Sequence, residues 1–140
     1  MRELRLKADL DAISEVLGFV NSLLDENGCP VPIKLQLDIA VEELFVNICN
    51  YAYTPDTGDA VVRVSFEKEP ASVTITFIDS GVAFDPVAKP DPDVELPIEE
   101  RPIGGLGIYM VKQSMDGMYY ERRDDQNILT IHKLFADGNK

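Results

Sequence analysis

The chain has 140 residues, with 25 acidic against 13 basic side chains for a formal net charge of −12, and it is 45% hydrophobic and 27% charged. That composition is globular and long enough for one full core, and its acid excess argues against nonspecific nucleic-acid or anionic-membrane binding while suiting a basic protein partner. No apolar run approaches the roughly 18 residues that cross a bilayer, and Cys29 and Cys49 match no metal or disulfide framework, so a cytoplasmic protein without a membrane anchor is expected.

Glu3 to Ala8 alternates charged and apolar residues and predicts a short strand. Asp9 to Leu24 places Leu10, Ile13, Val16, Leu17, Val20 and Leu24 at helical spacing, with Asp9 or Asp11 as cap. Asn27-Gly28 stops that helix, and Pro32 suits the first turn of a second one that runs to about Tyr53. Ala60 to Phe66 and Ser72 to Ile78 are β-rich and joined by Glu67-Lys68-Glu69-Pro70, an antiparallel hairpin. Between Ser80 and Ile103 five prolines exclude a long helix or a central strand. A loop of that length within a compact domain is usually functional. Gly104-Gly105-Leu106-Gly107 then opens a third helix to about Ser114, and strands follow near Met118 to Arg122 and Ile128 to Phe135, with Asp124 to Asn127 as their turn. The order β-α-α-β-β-loop-α-β-β predicts a two-layer α+β sandwich, mostly antiparallel, with the helices on one face. Residues 1–140 are read as a single domain.

The second helix is apolar almost all round, which implies burial on most faces, except for a stripe of Gln36, Glu43, Asn47 and Asn50. That stripe is either a partly exposed polar seam or the wall of a wet cleft. In a cleft, Asn47 offers a neutral oxygen of the kind Mg²⁺ accepts when it bridges phosphates, and Glu43, one turn away, can take a proton. The glycines before the third helix fit a tight loop-to-helix turn. They also admit a cradle in which free N–H groups and the helix dipole hold phosphate, which is how an acidic chain could bind a polyphosphate. Asp79, at a strand end before Ser80-Gly81, is either an Asx-turn residue or an acceptor for an exocyclic amine, with Gly81 letting a flat ring approach. Arg101 is the best local cation for a terminal phosphate or a solvated charge beside Glu99 and Glu100.

The order Glu43-x-x-x-Asn47, Asp79-x-Gly81, Gly105-x-Gly107 resembles the N, G1 and G2 boxes of the GHKL ATP-binding superfamily. Ala40 to Tyr53, Phe84-Asp85-Pro86, Gly104 to Ile108 and Met115-Asp116 are similar to the bacterial anti-sigma-factor serine kinases. The resemblance spans nearly the whole chain. It implies the Bergerat fold, ATP and Mg²⁺ as cofactors, Glu43 as general base, and Asn47 as metal ligand. It further implies that Asp79 accepts the adenine amine, with Gly81 beside the ring, that Gly105, Leu106, Gly107 and Ile108 hold phosphates, and that about 80–103 forms an ATP lid. The partners it implies are a sigma factor and an anti-anti-sigma (STAS-type) protein, with no direct nucleic-acid contact, and homodimers are usual in that branch. Tyr51 stands where a basic residue is common, Ala83 where Gly is frequent, and Asn127-Ile128 where a Gly-Thr pair often opens the last strand. An inert ATP-binding interaction module and a simple ATPase are the alternatives.

Overall fold

The structure is a computed structural model that describes residues 1–53, 56–87 and 106–136. β1 (Arg2–Lys7) leads through a short 3-10 turn to α1 (Ile13–Glu26) and α2 (Val31–Tyr51). The hairpin β2 (Asp59–Lys68) and β3 (Ala71–Asp79) follows, then α3 (Leu106–Ser114), β4 (Gly117–Arg123) and β5 (Gln126–Leu134). The five strands form one sheet in the order β1-β2-β3-β5-β4 with every pair antiparallel, as expected for the two-layer α+β class. No helix among the described residues is long and apolar enough to cross a membrane.

Strand register aligns apolar rungs under the helices. Leu4, Val62, Phe77, Leu129 and Tyr120 form one rung, and Val64, Ile75, Ile131 and Met118 another. Period-2 alternation sends the intervening residues to the other face. There Thr74 meets His132 at 3.1 Å, Thr76 meets Thr130 at 3.3 Å, and Arg63 donates to Glu3 at 2.7 Å. His132 therefore belongs to a polar rung of the sheet.

α1 and α2 form an antiparallel pair closed by local chemistry. Asn27 donates from its side-chain amide to the Leu23 carbonyl at 2.8 Å, Gly28 takes a left-handed φ of 70° after the helix end, and Lys34 reaches back to Asp25 at 2.8 Å. α2 buries Leu37, Val41, Leu44 and Phe45 completely or nearly so. Each such side chain contributes about 1.5–3 kcal/mol relative to exposure. One expectation for this helix is corrected. Leu35 and Ile39 are 57% and 60% exposed, because the sheet, α1 and α3 cover only the opposite arc. α3 is locked at its far end by Lys133, whose ammonium donates to the Ser114 carbonyl at 2.7 Å, and by Asp116, which accepts from the Leu134 N–H at 2.7 Å.

The β4–β5 turn also differs from expectation. It is the two residues Asp124-Asp125, both with positive φ (53° and 60°), the geometry of a tight hairpin whose twist matches its strands. Gln126 and Asn127 therefore lie in β5, not in the turn, and Asn127 pairs with Asp79 across the sheet.

Cys49 on α2 is half-buried, and burial, with the negative charge of Asp9 adding to it, pushes its thiol up to about 11. Only the thiolate reacts. In the folded protein at pH 8, peptide-level alkylation of Cys49 is expected to run at least about tenfold slower than in urea-unfolded chain, and to accelerate as pH rises toward the native value. Equal rates in both states would contradict the packing described.

Candidate functional site

β3 ends at Asp79, two residues past Phe77 and thus on the same, helix-covered face. Across the ladder, Asn127 stands two residues before Leu129 on that face. Both are only 6% exposed. Asp79 Oδ1 accepts from the Gly81 N–H at 2.9 Å and from the Asn127 amide at 2.9 Å. The second Asn127 N–H donates to the Val82 carbonyl at 2.8 Å. Its Oδ1 accepts from the Phe84 N–H at 3.3 Å and from the Tyr120 hydroxyl. Asn127 is thus fully used, and it holds three chain segments around Asp79. Among the described residues, Asp79 Oδ2 has no protein partner.

Asp79 forms part of the wall of a cleft between α2 and the sheet. Leu44, Asn47, Ile48 and Ala52 line it from α2, and Phe77, Leu129 and Tyr120 from the sheet. Val82, Phe84 and Pro86 close it from the segment after β3. The cleft encloses about 440 Å³ of atom-free space including its open mouth. Its lining is mostly apolar with a few convergent polar groups, Asn47, Asp79 and Asn127, as suits a flat heteroaromatic ring. Tyr51 stacks on Phe84 at 6.2 Å between centroids, so the tyrosine expected to replace a basic residue braces an aromatic wall. Tyr53 fastens the end of α2 to the sheet: its hydroxyl donates to the Asp59 carbonyl and accepts from the Ser80 N–H, both at 2.7 Å.

The two readings of Asp79 are compatible. Oδ1 makes the Asx turn to Gly81, and among the described residues Oδ2 stays without a protein partner on a residue that lines the cleft. For Gly81 the structure shows a steric reason for glycine. A Cβ there would lie 2.1 Å from the Ala52 carbonyl oxygen, and Val82 N–H donates to that oxygen at 2.9 Å, so the end of α2 fills the space beside Gly81. Asn47 is half-buried and lines the cleft, and Glu43, also half-buried, stands one helical turn, about 6 Å, farther along α2. Glu43 is not among the cleft's lining residues; its carboxylate instead lies against Gly107.

Leu106 to Ile108 form the first turn of α3, and the Ile108 side chain is buried in the core, so what Ile108 can offer a ligand is backbone. The expected contributions of Arg101 and Gly105, and residues 88–103 of the expected lid, lie outside the described residues. Sequence reasoning missed Asn127, Tyr120 and Tyr53. Recognising Asp124-Asp125 as a two-residue turn would have set the register that puts Asn127 opposite Asp79.

The sequence profile of the histidine kinase-like ATPase domain matches residues 6–133. The chain is 26% identical over 128 residues to the serine/threonine-protein kinase BtrW of Bordetella bronchiseptica, covering 91% of this chain and 89% of that protein. It is 28% identical over 146 residues to the serine-protein kinase RsbW of Bacillus cereus strain AH187, covering 98% and 90%. With RsbW of strain B4264 the identity is 30% over 112 residues, covering 74% and 69%.

Asn127→Ala removes two donated and two accepted hydrogen bonds at once. It is expected to lower stability by about 2–4 kcal/mol, read from urea unfolding. A change under about 0.5 kcal/mol would show that the network around Asp79 does not depend on Asn127.

Proposed function

The chain belongs to the histidine kinase-like ATPase domain family, and on that premise we propose that it is a Mg²⁺·ATP-dependent serine/threonine protein kinase of the anti-sigma-factor type. Its acceptor is a Ser or Thr hydroxyl of an anti-anti-sigma (STAS-type) partner, and a sigma factor is the second, sequestered partner. Residues 1–140 work as one ATP-binding unit, with about 80–103 as the lid. The observation that carries the reading is the Asp79 carboxylate: one oxygen is tied to the protein and the other is available in the wall of an apolar cleft.

In this reading Asp79 Oδ2 accepts the exocyclic amine of adenine between Phe77, Leu129 and the Phe84 side of the cleft. A buried carboxylate acceptor without a donor is costly, so it discriminates against rings that cannot supply one. The polyphosphate then runs along α2 toward α3, whose first turn, with Gly105 ahead of it, presents backbone N–H groups and the positive end of the helix dipole. Arg101 adds a positive charge for the terminal phosphate.

Among the described residues no group of three or more His, Cys, Asp or Glu could cage a metal. A single amide oxygen from Asn47 suits Mg²⁺, which is commonly held by few protein groups together with phosphates and water. When bound, Mg²⁺ supplies charge neutralisation on the phosphates. Glu43 orients the acceptor hydroxyl and takes its proton. The hydroxyl oxygen forms a bond to the γ-phosphorus as the bond to the β–γ bridging oxygen breaks, and ADP leaves with that oxygen. The BtrW and RsbW relatives, named as serine or serine/threonine kinases, support a hydroxyl as acceptor.

Glu43→Ala is expected to cut transfer to a STAS-type acceptor by at least about 100-fold while calorimetric ATP affinity stays within about threefold. Unchanged transfer would remove Glu43 as the base. In the wild type, ATP is expected to bind more tightly with Mg²⁺ than without, and Asn47→Ala should erase that difference. Equal wild-type affinities would undo the assignment of Asn47.

A further inference from the structure

We propose that Gly107 is a positioning residue for Glu43: the missing side chain at 107 is the seat of the Glu43 carboxylate. The proposal rests on the reading of Glu43 as the base. It starts from a contact whose three nearest atoms belong to a single group. A Cβ built on Gly107 would lie 1.7 Å from Glu43 Oε1, 2.3 Å from its Cδ and 3.0 Å from its Oε2. Outside α3 itself, no backbone atom of the described residues comes nearer than these.

Backbone geometry does not explain the glycine. Gly107 is the second residue of α3, and Gly28 is the glycine with positive φ among the described residues. At a helical position alanine is the better residue. Gly81 is the contrast, because its missing Cβ is demanded by the Ala52 backbone. At 107 the demand comes from one flexible carboxylate.

The helix pair makes the contact specific. Gln36 and Ile39 share a groove with Met110, Val111 and Ser114, and Glu43 meets Gly107, so α2 and α3 run antiparallel. The buried Ile108 and Val111, both just C-terminal to Gly107, anchor α3 in the core. Among the described residues Glu43 has no hydrogen-bond partner, and the contact they give its carboxylate is the steric one against Gly107. A methyl group at 107 pushes the carboxylate off that seat and leaves the rest of α3 in place. A displacement of about 1 Å of a reacting group can cost about 100-fold in rate.

Gly107→Ala is the test, combined with Glu43→Gln in a double-mutant cycle. Expected for Gly107→Ala are a kcat for transfer from Mg²⁺·ATP reduced about 100-fold, a KM for ATP changed less than about threefold, and a melting temperature equal to or above wild type. In the Glu43→Gln background the same substitution is expected to change kcat by less than about twofold. Equal losses in both backgrounds, or a raised KM with kcat intact, would overturn the proposal, since Gly107 would then act on phosphate or on the fold. A readout without turnover separates this proposal from the kinase reading. With ¹³C-carboxyl-labelled glutamate, the Glu43 signal is identified by its loss in Glu43→Gln. Gly107→Ala is expected to shift that signal and leave the other glutamate signals in place. An unshifted Glu43 signal overturns the seating even if the protein is a kinase, and a shifted one supports it even if no transfer is found. Should Gly107→Ala melt early, recovery of stability by adding Glu43→Asp, whose side chain is one methylene shorter, supports the clash, and no recovery overturns it.

Discussion

A carboxylate held in a nearly closed site organises this molecule. Asp79 is 6% exposed, and burying a charge of that kind is unfavourable unless donors surround it. Among the described residues two are supplied, from Gly81 and Asn127, and both go to the same oxygen. For stability alone, an apolar residue at that rung of the sheet would serve better. The arrangement makes sense if the second oxygen is kept for a ligand's donor. Around it the fold converges: β3 and β5 meet there in register, the end of α2 presses on Gly81, and Asn127 ties down Val82, Phe84 and Tyr120.

α2 links that end of the cleft to α3. Its apolar arc, Leu37, Val41, Leu44 and Phe45, fixes the helix on the core, so the polar residues on its remaining face cannot rotate away. Asn47 faces the cleft and Glu43 meets α3 one turn on. The contact with Gly107 links the start of a potential phosphate-holding helix to the residue proposed to take the proton. Charge placement follows the same logic. A chain of net charge −12 has little general attraction for a polyanion. Backbone N–H groups, one amide oxygen for a cation and local arginine are how such a chain could still hold one.

Much of this was legible in the residues. The hydrophobic period marked α1 and α2, Pro32 and Gly28 marked their junction, and the β-rich runs with a short connection marked the β2–β3 hairpin. These signals are local, and each agrees with its neighbours. The polar stripe on α2 was visible because polar residues in an otherwise apolar helix are conspicuous. Its apolar back face was misjudged, because composition cannot say that the described residues leave Leu35 and Ile39 more than half exposed. Asn127 was assigned to a turn because four polar residues in a row read as loop. Only the positive φ of Asp124 and Asp125 shortens that turn to two and brings Asn127 opposite Asp79. The reason for Gly81 and Gly107 was also hidden, since the atoms that crowd them come from α2, more than 25 residues away in the chain.

The central claim is that Asp79 recognises a ring that donates a hydrogen bond from an exocyclic amine. Calorimetric titration with ATP and with inosine triphosphate, which carries a carbonyl in place of that amine, tests it without any protein partner. ATP is expected to bind at least about tenfold more tightly, the cost of leaving a buried acceptor facing another acceptor. Equal affinity for the two nucleotides would contradict the account, and Asp79 would then be a structural turn residue beside an unrelated cleft.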